Sequence, residues 1–265
     1  MKSASPEISI STASRLCRAK IRKNIKLNDS NFFILSLALE SPVPAPRPGQ
    51  FFMFGLDSRK DPLLKRPFCY FRRKGNTIDI LYRVVGKVTT LMTGLKPADS
   101  AEILGPLGNF YPLEEASGKI PVVIAGGVGI ASVYPLLGAL AGRALLFYGG
   151  RTKKDILLAG ELKKLSKKAV FTTEDGSIGL RGTAVDAARG FLEGKDKRDF
   201  ILYACGPNGM LKAASALDVA GYIASEEKMA CGIGVCLGCA VKTVGGYKRA
   251  CKDGPVFKTG EVVFD

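Results

Sequence analysis

Four cysteines fall within the run MACGIGVCLGCAVKTVGGYKRAC, where Cys231, Cys236, Cys239 and Cys251 are spaced C-x4-C-x2-C-x11-C. Cysteine thiolates at such intervals are metal ligands by type, being soft and anionic. The first three match the C-x4-C-x2-C spacing of plant-type [2Fe–2S] ligation. Gly232, Gly234 and Gly238 let the backbone turn tightly and aim N–H groups at sulfur, which stabilises negative charge there. Four-cysteine zinc is the main alternative, but structural zinc sites present two short knuckles and only Cys236 and Cys239 form one. Free buried thiols are the third reading. Histidine is absent, which removes the commonest general base and excludes a Rieske-type centre. The remaining cysteines, Cys17, Cys69 and Cys205, are scattered, and the C-terminal grouping of the other four is unlike a secreted disulfide framework.

Weaker signals lie upstream. In KRPFCYF, Arg66 offers a guanidinium fork suited to a pyrophosphate and Pro67 fixes the entry of a strand, with Phe68 and Cys69 next to them. An Arg-Pro pair on an edge strand also has a purely structural reading. LYRVVGKVTTL follows, with Leu81, Tyr82 as a ring-packing group, Arg83 as a second cation, and Gly86, Val88, Thr89 and Thr90 as a phosphate-binding turn. AGGVGIASV carries Gly126, Gly127 and Gly129 after a β-like run, as in the first strand-to-helix turn of a nucleotide-binding sheet, though without the full G-x-G-x-x-G spacing. YACGPNGML puts Cys205, Gly206 and Pro207 at a strand's C-terminal end, where ligands of open α/β sheets sit; Cys205 is equally readable as a small buried hydrophobe.

These residues need a scaffold. From about Ser14 to Pro112 the short runs FFILSLAL, QFFMFGL, FCYF, TIDILYRVV and AEILGPLG, separated by breaks such as SPVPAPRPG, predict a small antiparallel barrel. From Ile120 onward, apolar strands alternate with helical segments, which predicts a parallel sheet with helices on both faces. The Gly- and Cys-rich tail is too short for its own core and requires a metal or packing against the preceding unit. The expected division is residues 1–13 as a flexible extension, 14–113 as an antiparallel Greek-key barrel, 114–224 as a Rossmann-like α/β domain, and 225–265 as a small cluster-binding domain.

Composition narrows the class. With 46% hydrophobic and 24% charged residues among 265, the chain reads as a globular protein able to bury at least one full core. The uncharged stretch from Pro121 to Gly142 has the length of a membrane span, but its glycines and Pro135 predict strand, turn and buried helix instead. The Ser-rich start has no apolar h-region, so no secretory signal is expected and the cytoplasm is the expected location. A net charge of +15 invites a nucleic-acid reading. Its spread along the chain, without basic stretches interleaved with aromatics, fits a solvated surface and sites for anionic dinucleotides as well.

The order of barrel, α/β domain and four-cysteine tail resembles the ferredoxin-reductase superfamily. Within it, EEKMACGIGVCLGCAVKT followed by ACKDGPVF is similar to the cluster signature of the electron-transfer subunits of type B dihydroorotate dehydrogenase. The resemblance covers nearly the whole chain after the first dozen residues. It implies FAD on the barrel of 14–113, NAD on the α/β domain of 114–224 and a [2Fe–2S] cluster on 225–265, a separate FMN-containing dihydroorotate-oxidising catalytic subunit, and a heterotetramer of two of each subunit, with no nucleic-acid or membrane partner. Electrons would pass from that FMN through the cluster to FAD, which would reduce NAD, in pyrimidine (UMP) biosynthesis. Three positions depart from the family pattern. Cys69 replaces the serine of R-P-x-S, Val88 stands at the second glycine of G-x-G-T, and Ser132 stands where proline is frequent. Nucleotide preference stays open on residues alone, because Arg151, Lys153 and Lys154 suit a 2′-phosphate whereas Glu174 and Asp175 suit a ribose hydroxyl; the resemblance implies NAD. The nearest rival is a flavin/iron–sulfur subunit of a sulfide dehydrogenase, a hydrogenase or a ferredoxin:NADP oxidoreductase. A zinc-containing nucleic-acid module is the reading from a different class.

Overall fold

Buried Cys17, Ala19 and Ile21 alternate with exposed neighbours, the two-residue period of a strand with one face on a core. This strand, β1 (Arg15–Lys26), opens the computed structural model, which describes residues 14–27, 29–56 and 61–264. The extension expected over residues 1–13 lies outside the described residues. There follow β2 (Phe32–Leu39), β3 (Phe51–Leu56), β4 (Arg66–Cys69), β5 (Arg72–Lys74), β6 (Thr77–Arg83), a short helix α1 (Lys87–Thr93) and β7 (Ser100–Leu107). They form one antiparallel sheet in the order β4-β3-β7-β1-β2-β6-β5. The long return of β7 to the side of β1 is a Greek-key connection. The sheet curls until β4 meets β6, giving a half-closed barrel filled by Leu35, Leu37, Phe54, Ile80 and Tyr82 among others.

The second unit alternates strand and helix. β8 (Ile120–Gly126), α2 (Ile130–Ala139), β9 (Leu145–Gly150), α3 (Ala159–Leu165), β10 (Lys168–Thr173), β11 (Leu180–Arg181), α4 (Ala184–Leu192), β12 (Phe200–Cys205), α5 (Asn208–Ser215) and β13 (Gly221–Ala224) follow in order. Strands β8 to β13 pair in parallel in the order β11-β10-β9-β8-β12-β13. The chain moves outward from β8 to β11 and then crosses back to β12, so the order reverses between β8 and β12. Open α/β sheets bind ligands in the crevice that such a reversal leaves at the strands' C-terminal ends. The apolar stretch 121–142 divides into β8, a tight turn and α2, with Pro135 inside the helix. Among the described residues no helix is long and apolar enough to cross a membrane.

After β13 the chain makes the cysteine loop, a two-stranded hairpin of β14 (Ala240–Thr243) and β15 (Gly246–Arg249), and β16 (Val256–Lys258). β16 then adds to the edge of the α/β sheet, antiparallel to β13. Asn109, in the linker leaving the barrel, fixes this return. Its side chain accepts from the Val256 N–H at 2.9 Å and donates to the carbonyls of Val256 at 2.7 Å and Asp253 at 3.1 Å, while its own N–H donates to the Gly254 carbonyl at 2.6 Å. A Cβ on neighbouring Gly108, whose φ is +73°, would stand 2.6 Å from Pro255 Cδ, so only glycine allows this approach.

Two apolar clusters join the units. In one, Phe32, Phe71 and Leu81 of the barrel pack with Ile130 and Val133 of α2; in the other, Phe51, Met53 and Leu107 pack with Val241, Cys239 and Cys251 of the tail. At the rim of the first, the Phe71 and Tyr134 rings lie 4.5 Å apart, and Arg72 covers both and pairs with Glu161 of α3. Replacing Asn109 by Ala leaves at least one backbone N–H without its partner, and is expected to cost about 1–3 kcal/mol of stability. Denaturant unfolding of the variant against the parent checks this, and equal midpoints would remove Asn109 from the tail's anchorage.

Candidate functional site

The four cysteines of the tail lie on two adjoining loops. Cys231, Cys236 and Cys239 belong to the bend-rich segment between β13 and β14, and Cys251 follows β15. An Ala250 N–H donated to the Cys239 carbonyl at 2.9 Å laces the loops together. Cys239 and Cys251 are buried, each 2% exposed, and their thiols are in hydrogen-bonding contact; Cys236 faces solvent and Cys231 is half-buried. The ligand loop is pressed onto the barrel, since a Cβ on Gly232 would meet Met53 Cγ at 2.5 Å.

Backbone amides are aimed at sulfur as the glycine pattern predicts. The N–H groups of Ile233 and Cys236 each donate to Cys231 Sγ at 3.5 Å. Burial pushes the Cys231 thiol up, but these amides, that of Val235 and the Cys236 thiol outweigh it and bring it down to about 6. These donors favour the thiolate, the form that binds metal. Burial and the neighbouring Cys239 thiol push Cys251 up to about 12, with the Gly234 N–H acting the other way. Among the described residues no three Cys, Asp or Glu side chains converge closely enough for a single metal ion. The all-sulfur donor set and the amides directed at Cys231 and Cys251 fit a [2Fe–2S] cluster, whose sulfurs accept such hydrogen bonds.

A second constellation forms at the reversal between β8 and β12. The turns after these strands touch: a Cβ on Gly129 would stand 2.3 Å from the Cys205 carbonyl oxygen and 2.8 Å from the Gly206 N, and one on Gly126 would meet Met210 Sδ at 2.7 Å. The structure thus brings together Gly126, Gly127, Gly129, Cys205, Gly206 and Pro207, six residues that motif reading had placed in two separate turns. Facing them across the junction is Cys69 at the end of β4. Ser132, buried in the first turn of α2, stands within hydrogen-bonding reach of both the Cys69 and Cys205 thiols and 3.4 Å from the Tyr111 hydroxyl. Burial, with the Glu226 carboxylate adding to it, pushes the Cys69 thiol up to about 12 and Cys205 well above its ordinary range. Both therefore stay protonated. Glu226 has an exposed edge, yet the protein around it raises its carboxyl pKa by desolvation. Sequence reading gave no role to Tyr111, which no motif marks, or to Glu226, which opens the EEKMAC signature without being a cysteine ligand; the two converge here only through the fold.

The barrel residues divide. Arg66 donates through Nη1 to the carbonyls of Leu64 at 2.8 Å and Lys65 at 3.4 Å, and among the described residues its Nε and Nη2 carry no partner, which leaves donors for an anion. Pro67 and Phe68 follow on β4, paired with Met53 and Phe52. Leu81 faces the α/β unit. Tyr82 does not offer the ring-packing surface expected of it: strand alternation turns its side chain into the barrel, where its ring stacks on Phe33 and its hydroxyl donates to Asn24 at 3.2 Å. Arg83 is exposed, above the Phe32 ring. In the expected phosphate-binding turn, Val88 is buried in the barrel core and the Thr89 hydroxyl is occupied, accepting from the Val85 and Gly86 N–H groups at 2.9 and 3.1 Å. Space in front of Gly86 is open and Thr90 is exposed. The turn would therefore meet a phosphate through its backbone and Thr90, with Thr89 shaping it.

Residues 226–263 match the family model described as the iron–sulfur cluster binding domain of dihydroorotate dehydrogenase B, and residues 123–216 match an oxidoreductase NAD-binding domain. The chain is 38% identical over 250 residues to the dihydroorotate dehydrogenase B (NAD(+)) electron transfer subunit of Clostridium acetobutylicum, covering 93% of this chain and 96% of that one. It is 36% identical to the subunit of the same name from Bacillus caldolyticus, covering 82% and 87%. Among solved structures, it is similar to an NADH-dependent reduced ferredoxin-NADP oxidoreductase, with a TM-score of 0.81, 28% identity and coverage of 93% and 90%. The fold also matches a ferredoxin NADP+ reductase from Neisseria gonorrhoeae with bound FAD and NADP, at a TM-score of 0.66, 16% identity and coverage of 76% and 89%.

Two substitutions test the site. Cys236→Ser removes an exposed sulfur and is expected to abolish cluster absorbance while sparing NADH oxidation by an artificial acceptor; native absorbance in the variant would exclude Cys236 as a ligand. Arg66→Ala is expected to weaken flavin retention by about 1–3 kcal/mol, the range of a charge-assisted contact. Equilibrium dialysis against FAD measures it, and unchanged affinity would take Arg66 out of the site.

Proposed function

Because the chain belongs to the family of NAD-linked dihydroorotate dehydrogenase B electron-transfer subunits, we propose which residues hold each redox group and where the catalytic partner docks. The protein is an oxidoreductase subunit that passes electrons from the FMN of a catalytic subunit, by way of a [2Fe–2S] cluster and FAD, to NAD in pyrimidine biosynthesis. Identity at 38% along almost the full length of a relative of that name carries this conclusion. A flavin supplies the chemistry that links one-electron traffic with the two-electron nicotinamide couple.

Each group has a place in the fold. Cys231, Cys236, Cys239 and Cys251 would hold the cluster, with the Ile233 and Cys236 amides offsetting its negative charge. Arg66 and the backbone around Gly86 would hold the flavin's phosphates, with Pro67, Phe68, Cys69 and Leu81 lining its ring. Gly126 to Gly129 and Cys205 to Pro207 would admit the nicotinamide between β8 and β12. Cys69, Cys205 and Glu226 line that meeting point, and the two raised thiols keep their protons there instead of presenting charge. For the dinucleotide's 2′ end, Asp155 and Asp175 are already engaged, the first accepting from the Arg151 and Thr152 N–H groups and the second from Ser177. Both bonds to Asp175 end on Oδ1, so Glu174 and the Oδ2 of Asp175 would meet a ribose hydroxyl.

Docking of the catalytic subunit is supported by exposure around the outer cysteines. Ile233, Val235 and Leu237 are 50%, 75% and 65% exposed, an apolar rim beside Cys236. Burying such side chains favours association, and the contact would bring a partner's redox group close to the cluster's outer edge. A two-plus-two heterotetramer in the cytoplasm is our reading of the assembly. The decisive experiment co-purifies this chain with the FMN subunit of the same genome and assays dihydroorotate-dependent NAD reduction. Turnover that requires both chains is the expected result. A flavin and iron–sulfur spectrum with no dihydroorotate activity would reassign the chain to another electron-transfer complex.

A further inference from the structure

Arg249 closes β15, two residues before Cys251, and both its backbone and its side chain organise the ligand loops. Its carbonyl accepts from the N–H groups of Lys252 at 3.1 Å, Asp253 at 2.8 Å and Gly254 at 3.2 Å, so the turn carrying Cys251 wraps around one oxygen. The guanidinium donates to Asp253 through Nε at 3.0 Å and Nη2 at 3.2 Å, and through Nη1 to the carbonyl of Gly234 at 3.0 Å. The Arg249 N–H adds a bond to Asp253 at 2.8 Å. One side chain thus ties the loop of the first three cysteines to the loop of the fourth.

Gly234 is the residue through which this contact acts. Its φ is +83°, which favours glycine, and a Cβ there would crowd the Lys252 side chain, with Lys252 Cβ at 3.0 Å. The carbonyl held by Arg249 belongs to the same planar peptide unit as the Val235 N–H, which points the opposite way, toward Cys231. The N–H of Gly234 itself points to Cys251. Holding that carbonyl orients the Val235 amide on the first ligand directly, and it anchors the residue whose own N–H meets the last.

We propose that Arg249 is a positioning residue for the [2Fe–2S] cluster, holding Gly234 so that its flanking amides point at cluster sulfurs and balancing the charge of Asp253 beside the buried ligand pair. Hydrogen bonds to sulfur and nearby charge are two of the levers that set the reduction potential of such a centre. Losing Arg249 releases the amides and leaves the Asp253 carboxylate uncompensated, and both changes disfavour the added electron. Losing the Asp253 charge with Arg249 kept has the opposite sign. The inference rests on the four cysteines holding the cluster, so its test must separate the two.

The experiment is a redox titration of the two-subunit complex followed by the electron paramagnetic resonance of the reduced cluster, with the flavin potential as internal control. A parent complex without a [2Fe–2S] signal would refute the cluster assignment itself. With that signal present, Arg249→Gln is expected to lower the cluster potential and hasten cluster loss to a chelator, while Asp253→Asn raises the potential and the flavin potential stays in place in both. Should Arg249→Gln fail to retain a cluster, the sign for Asp253→Asn decides. Unchanged cluster potentials, or a downward shift in Asp253→Asn, would overturn the proposal, since general loosening of the loop gives no shift of opposite sign.

Discussion

The hydrogen bonds of Asn109 determine where the cysteine loops can lie. The tail from Ser225 onward is too short for a core of its own, and nothing in its sequence chooses between packing on the barrel and packing on the α/β sheet. Asn109 stands where one unit becomes the other, and by holding residues 253–256 it lets β16 complete the sheet while Cys251 stays against the barrel. Val256 is an edge-strand residue whose N–H would otherwise face the linker unpaired, so this side chain also satisfies a donor that burial would make costly. The motif ACKDGPVF thereby has a structural explanation separate from metal binding. It is the segment that must fit under the linker at Gly108, where there is no room for a side chain.

With the tail held there, the two constellations come to lie on neighbouring parts of one junction. Met53 and Leu107 of the barrel pack with Cys239 and Cys251, while β4, paired to the same β3, carries Cys69 into the crevice between β8 and β12. The interface around them is apolar and continuous, reinforced at its rim by the Arg72–Glu161 pair and the Phe71–Tyr134 contact. An exposed ion pair adds little energy. Its value here is orientational, because the guanidinium lies over both rings and links a barrel strand to α2 and α3.

Legibility in the sequence followed the range of the interaction. The spacing of Cys231, Cys236 and Cys239 that reads as metal ligation is local, so it is visible in one short window, and the glycines between them foretold the amides that bond to Cys231. The strand and helix alternation and the glycine turns at 126–129 and 205–207 were likewise readable over short windows. What was not readable depends on residues brought from far apart: Asn109 with Val256, Ser132 with Cys69, Tyr111 and Glu226 with Cys205. Tyr82 was misjudged because a strand residue's face is set by the sheet's register, which its own segment does not state. Thr89 was read as a phosphate ligand because Thr after Gly suits both roles; the structure engages its hydroxyl in the turn. The departures at Cys69 and Ser132, noticed separately in the sequence, prove to be neighbours. Ser132 supplies a hydroxyl within reach of the thiol that stands where the family pattern has a hydroxyl, so the polar character of that corner is retained across two elements.

The burial of the four tail cysteines is unequal, and the inequality has a direction. Cys239 and Cys251 face the packed interior shared with the barrel, whereas Cys236 faces solvent within an apolar rim. A centre serving only as a structural staple gains from being enclosed on every side, because solvent access weakens its ligand bonds and exposes thiolates to oxidation. A centre that receives electrons from another protein must leave one edge open until that protein covers it. The exposed Ile233, Val235 and Leu237 are then costly in the free subunit and favourable in the complex. The same loop is glycine-rich and pinned from beneath by the Arg249 contact to Gly234, so it can present an apolar surface without being disordered by it. An open apolar edge and a closed edge against the barrel arise here from one loop held on one side only, which is what the proposed relay requires.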